Sequence, residues 1–455
     1  MVREVNVMHF VYEKYDSNLD MSLNFINCPD VNNSGISRFT TSPIVSTIIR
    51  TAKMARGCTC SQEPPLDKKY IIPTGVAHSP IDWCGPDSQN VGFDKAHPEK
   101  KSLFAHLNET YLGDLQRYHA YLLIDQSHEG YQTEWMWEWF HNNCNDYKID
   151  PGQIIYVTGN LESAEQYKAW ADSHRLLNRI YVVPYAHFEG MIYESAINQN
   201  RNLLNKFFNK TELPNYSKQF KFKKANLSKI KVYNALQKRP RAHRAWFFSA
   251  LCKAGLIEYG INSMNAVKKN ETYFEDKRMS TDDFEQISKL LPIMPPENPT
   301  DYKLDNFASG DSGNYLSQFN EETMLSSWVT VVSEASVGDS EGQCFISEKT
   351  FKPIACHHPF IIYGNRYSLK HLREMGYKTF SPFIDESYDE LCTWQRLDAI
   401  IAELTRIKNI PEEEKLSWFK GMKDILEYNY KIFEANTKGG IPKPMDAILE
   451  YVDRK

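Results

Sequence analysis

At 455 residues the chain is too long for one ordinary domain, and two or three are expected. A composition of 42% hydrophobic and 24% charged residues excludes a disordered chain, and no run approaches the ~18 consecutive apolar residues of a membrane span. Net charge is −5, yet between Lys206 and Arg244 nine Lys and three Arg stand against the single acid Glu212, a local excess of +11 that asks for an anionic partner.

The first residues, Met1 to Asp16, carry no sustained apolar stretch behind Arg3, so no signal peptide is expected. Residues 1–118 alternate Pro/Gly/Ser/Asn loops with short apolar runs and give no clear elements. Nine scattered cysteines, an odd number, give neither a disulfide framework nor paired zinc knuckles, and a reducing cytoplasm is the expected setting. Cys58 and Cys60 are the only close pair, a weak hint of metal.

From His119 the pattern clears. His119–Ile124 is a buried-strand run followed by a polar loop, Asp125 to Gly130. A Trp-rich helix over 132–142 comes next, then a strand at Gln153–Thr158, a helix from Ser163 to about Leu177, and a strand at Arg179–Pro184. This is the βαβ rhythm of a parallel sheet. After the basic segment, Lys229–Tyr233 reads as a strand and Ala245–Ala254 as a helix. Residues 262–320 are polar and form an expected insertion. The rhythm then resumes: strand Trp328–Val332, helix Ser347–Cys356, strand Pro359–Tyr363, helix Ser368–Met375, and long helices over 391–407 and 411–434. The fold class is therefore α/β, two Rossmann-like domains facing a cleft. The first spans 1–225 and the second 226–455, with the final helix able to pack back on the first.

The most informative stretch is Ile346-Ser-Glu-Lys-Thr-Phe-Lys-Pro-Ile354, followed by Pro359-Phe-Ile-Ile-Tyr-Gly364. Ser347 is an N-cap, so backbone N–H groups and the positive helix end face the C-terminal edge of the strands. Lys349 adds a full charge, which makes a phosphate the natural guest. Glu348 can accept from a ribose diol, as acids do in dinucleotide-binding folds. Ser-Glu-Lys as an ordinary helix start is the competing reading. His357 and His358 read as structural, because adjacent residues on a strand diverge.

This stretch resembles the donor-site motif of the fucosyltransferases, which are GT-B enzymes. With Gly376–Phe380 and Ile384–Asp389 it resembles more closely the glycosyltransferase-like proteins of tailed phages. The resemblance covers roughly 119–200, 231–262 and 325–395. It implies a UDP- or GDP-sugar co-substrate, with Glu348 on the ribose and Lys349 plus Arg241 or Arg244 on the diphosphate. Arg244 is favoured because it sits where a helix begins, and Asn234 matches an Asn placed before that helix. Pro353 and Lys352 depart from the motif, and Pro353 must kink or shorten the helix.

No Asp-x-Asp pair occurs in the chain, which suits a metal-independent diphosphate site. An inverting transfer needs a base. Glu129 is the first candidate and Asp125 the second, both in the loop leaving the first clear strand, with Glu189 in a later, equivalent loop.

The basic segment interleaves Phe207, Phe208, Tyr216, Phe220, Phe222 and Tyr233 with its cations, a pattern that suits nucleic acid. The acceptor expected from it is a hydroxymethylpyrimidine in phage DNA, reached by base extrusion. The alternatives are a glycan or lipid-linked acceptor, and a nucleotide- or glycan-binding protein without turnover. No membrane partner is expected, and the oligomeric state is left open.

Overall fold

The structure is a computed structural model that describes residues 8–11, 58–61, 65, 68–75, 103–104, 107–127, 130, 134–193, 230–237, 241–264, 289, 324, 326–339, 343–437 and 444–454. Two compact units result: Met1–His187 together with Thr437–Lys455, and Phe188–Asn436. The expected boundary at 225/226 lies outside the described residues, as do Glu129, the basic stretch 206–229 and nearly all of the expected insertion.

In the first unit β1 (Met8–Val11), β2 (Cys58–Ser61), β3 (Tyr70–Gly75), β4 (Ala120–Gln126), β5 (Ile154–Thr158) and β6 (Tyr181–Pro184) form one sheet in the order β2-β1-β3-β4-β5-β6, parallel at every pairing. The helices α1 (Glu109–Gln116), α2 (Glu134–Tyr147) and α3 (Ser163–Ser173) belong to it. Strand β4 is buried along its whole length, as a strand covered on both faces must be. Successive side chains go to opposite faces. Leu122 and Ile124 join Trp137, Phe140 and Tyr167 on one side, while Tyr121 and Leu123 join Ile155 and Val157 on the other. Each buried Leu or Ile contributes roughly 1.5–3 kcal/mol, so both faces matter to stability.

The second unit holds β7 (Lys231–Leu236), α4 (Ala242–Lys253), β8 (Gly260–Ser263), β9 (Ser327–Ser333), α5 (Glu348–Ala355), β10 (Phe360–Tyr363), α6 (Ser368–Glu374), α7 (Thr393–Asn409), α8 (Glu412–Gly421) and most of α9 (Lys423–Thr437). Its sheet runs β10-β9-β7-β8, again all parallel, with Asn234 opposite Thr330 and Thr330 opposite Phe360. Two parallel sheets with intervening helices give the α/β class that the sequence rhythm predicts.

The expected single helix over 411–434 is two helices that part at Met422. Gly421 is required at the end of α8, because a Cβ there would lie 2.5 Å from the Phe383 ring. Pro353 sits in the last turn of α5, which stops after eight residues. A proline has no N–H to continue the ladder, so the expected shortening is what the structure contains.

A polar network lies inside the second sheet. Asn234 Nδ2 donates to Ser327 Oγ at 2.7 Å and to Thr330 Oγ1 at 2.8 Å. His358 donates from Nε2 to the Ser327 carbonyl at 2.9 Å, which leaves Nδ1 to accept from Thr330 Oγ1, also at 2.9 Å. Burial pushes the His358 imidazole down to about 4. His357, buried and with φ of 50°, stacks on Tyr430 at 4.3 Å. Both histidines are structural.

The last helix, α10 (Pro444–Arg454), belongs to the first unit. Its Met445, Ile448 and Val452 cover Tyr121, Leu123 and Ile155, and Tyr451 donates to the Gly152 carbonyl at 2.8 Å.

Candidate functional site

The C-terminal edge of the second sheet is where open parallel sheets receive ligands. There β9 ends at Ser333 and the chain turns through Glu334, which is fully buried. Glu334 extends the ladder by donating its N–H to the Tyr363 carbonyl at 2.9 Å. Its carboxylate accepts from Ser347 N at 3.1 Å, Thr350 Oγ1 at 2.7 Å and Ala335 N at 3.2 Å, and from Ser347 Oγ. Four donors offset the cost of burying this polar group.

The same turn is gripped from the other side by the start of α4. Its backbone carbonyls lie past the last paired position, and side chains satisfy them. Glu334 O accepts from His243 Nε2 at 3.1 Å and from Arg244 at 3.3 Å, while Arg241 donates to Ala335 O. Arg244 is buried and also reaches the Ser333 carbonyl at 3.5 Å. Burial, with Arg244, Arg241 and Lys349 all near, drives His243 down to about 3. That imidazole is therefore neutral and donates from Nε2. The cations of two helix starts converge on one buried ring.

Ser347 caps α5 as the sequence predicts, its hydroxyl 3.4 Å from the Lys349 N–H. Lys349 Nζ lies 3.0 Å from Ser347 Oγ and 2.7 Å from Glu348 Oε1. Burial opposes charge on Glu348, but Lys349 and Lys352 beside it prevail and hold the carboxyl below the usual carboxylate range. Lys352, half-buried one turn on, is pushed down to about 8 by burial, against the pull of Glu348. One expectation changes here. The sequence left the positive end of α5 to a phosphate, whereas Glu334 already fills it. An anion at this edge would be met by side-chain charge, from Lys349, Arg241 and Arg244, rather than by the amides of α5.

Asn234 is not brought to this cluster. It lies mid-strand, opposite Thr330, with its amide committed to Ser327 and Thr330. Glu334 is the residue that sequence reasoning missed. An acid two residues behind the largely apolar run Trp328–Val332 was the available signal.

In the first unit Asp125 lies near the end of β4, fully buried, accepting from Ser127 N at 3.0 Å. Glu129 lies outside the described residues. Glu189, in the second unit, is buried and accepts from Tyr377 Oη at 2.5 Å and Asn436 Nδ2 at 2.6 Å. Burial and then the Glu189 charge raise the Tyr377 phenol well above its ordinary value, so it stays protonated and donates. Glu189 is a tie between segments. Among the described residues no group of three His, Cys, Asp or Glu side chains is placed to hold a metal ion, and no helix is long and apolar enough to cross a membrane.

No family model matches the chain, and no curated protein matches it in sequence. Solved structures do. An E. coli trehalose-6-phosphate structure with bound UDP-2-fluoro glucose matches at 10% identity and a TM-score of 0.38, over 95% of this chain and 98% of that one. The N-terminal domain of Candida albicans trehalose-6-phosphate phosphatase matches at 9% and 0.38, over 90% and 74%. A trehalose-6-phosphate synthase, from a study of glycosyl transfer with retention, matches at 11% and 0.39, over 98% and 99%. Identities and scores this low carry over no donor, acceptor or residue role.

Proposed function

We propose that the chain is a nucleotide-sugar-dependent glycosyltransferase whose donor is held at the C-terminal edge of the second sheet. The observation that carries this reading is the convergence of Arg241, Arg244 and Lys349 on the Glu334 turn, with the buried, ionised Glu348 beside them. A nucleoside diphosphate needs two things that this cluster has. Cations stabilise the charge that grows on the diphosphate as the glycosidic bond breaks, and arginine suits phosphate geometry. A carboxylate accepts from a ribose diol, and Glu348 is kept charged for it by its two lysines. The sequence resemblance and this geometry support the same residues.

The general base is sought at Glu129 or Asp125, and the diphosphate is handled without a divalent metal. For the acceptor, the +11 excess over 206–244 with its interleaved aromatics favours nucleic acid, a hydroxymethylpyrimidine in DNA. A glycan or lipid-linked hydroxyl is the second reading.

The test is a panel of UDP- and GDP-sugars with and without hydroxymethylated DNA, reading released nucleoside diphosphate. Release from one donor, accelerated by its acceptor, is expected. Binding without release would make the chain a binding protein, and neither binding nor release would end the donor-site reading.

A further inference from the structure

One residue touches both helix starts at the candidate donor site. Through its side chain Glu334 holds Ser347 and Thr350 of the α5 start, and through its carbonyl it holds His243 and Arg244 of the α4 start. Its neighbour Ala335 accepts from Arg241 and donates back to the Glu334 carboxylate at 3.2 Å. The room around it is fitted as well: a Cβ on Gly364, at the end of β10, would lie 3.2 Å from Glu334 Cγ. We propose that Glu334 is the positioning residue of the donor site, fixing where Lys349, Glu348 and Arg244 stand relative to one another. The inference rests on the donor-site reading above.

A buried carboxylate is costly, and an apolar side chain of similar volume usually serves a core as well or better. Glu334 instead spends its hydrogen bonds on Ser347, Ala335 and Thr350, and its carbonyl on Arg244. Ser347 and Thr350 flank Glu348 and Lys349 directly in the chain. Loss of the carboxylate would free the first turn of α5 to shift, and a shift of about 1 Å in positioned groups costs on the order of 10²-fold in rate.

The experiment compares Glu334→Gln, Thr350→Val and Thr350→Ser, each alone and with Lys349→Ala. It uses the nucleotide sugar that the wild type hydrolyses, and calorimetric binding of its nucleoside diphosphate. Glu334→Gln should lower kcat/KM for the donor roughly 10²-fold. Thr350→Val should lose less in the same direction, and Thr350→Ser should restore it. In the Lys349→Ala background Glu334→Gln should cost less than it does in the wild type, because one of the groups it positions is gone. A role in stability alone predicts equal losses in both backgrounds, in turnover and in binding, and that result would overturn the proposal. So would wild-type kcat/KM in a folded Glu334→Gln protein. If that variant fails to fold, wild-type kcat/KM in Thr350→Val overturns it instead. A wild type that binds and hydrolyses no nucleotide sugar defeats the donor-site reading itself, and this inference with it.

Discussion

Lys349 Nζ lies 2.7 Å from Glu348 Oε1, between neighbours in sequence whose side chains meet over the first turn of α5. The pair is a buried acid and a cation exposed on 27% of its side chain, so the lysine has room to serve an incoming anion. Lys349→Ala should lower donor turnover roughly 10²–10³-fold, the scale of losing one preorganised charge-stabilising group. Circular dichroism should be unchanged. Near-wild-type turnover in the folded variant would remove Lys349 from the site.

The buried histidines of the second unit set a pH dependence. Burial, and then Arg244, pushes His243 to about 3, while burial pushes His357 and His358 to about 4. In the unfolded chain each takes a proton near pH ~6.5. The unfolded state therefore binds more protons between these values, and stability falls as pH drops from about 6.5 toward 4. Each histidine can cost up to roughly 3 kcal/mol across that window. Urea midpoints measured at pH 7 and 4.5 should differ, and His358→Asn should narrow the difference. Equal midpoints in the wild type would show that these imidazoles titrate normally.

Activity should persist in excess chelator. The chain lacks an Asp-x-Asp pair, and the proposed diphosphate site is built from Lys349, Arg241 and Arg244. Complete loss on chelation, restored by magnesium or manganese, would mean that a metal carries the diphosphate.

The basic segment separates the acceptor classes. If Lys218, Lys221, Lys223 and Lys224 meet DNA phosphates, each contributes roughly −0.9 to the slope of log affinity against log salt. Replacing all four by Gln should flatten that slope by up to ~3–4. Donor hydrolysis without acceptor should barely move, since Lys349 and Arg244 are untouched. DNA binding that is absent at low salt, or an unaltered slope, hands the acceptor to the glycan class.

What the sequence made legible was whatever is local. Continuous apolar runs announced β4, β5, β9 and β10, and Ser347 announced the start of α5. The strands β1, β2 and β3 stand in a stretch of sequence rich in Pro, Gly, Ser and Asn, and their own residues, with His9 in β1, Thr59 and Ser61 in β2 and Pro73 in β3, give no continuous apolar run. Gly421, just before the break at Met422, is held to glycine by the Phe383 ring, a contact across the fold that no window contains. Asn234 drew attention because it stands between a strand and a helix, but the pleat turns its amide into the sheet. Glu334 escaped notice because an acid behind a strand looks like any solvated loop residue until its four donors are seen.

The place of α10 bears on how the chain is made. Its Met445, Ile448 and Val452 close the face formed by Tyr121, Leu123 and Ile155, more than 280 residues earlier in the chain. During synthesis every strand of the first sheet leaves the ribosome long before that cover, while the second unit completes itself by Asn436. The later domain is thus free to fold first. The earlier one waits with an apolar face open to chaperones and to misassembly until α10 emerges.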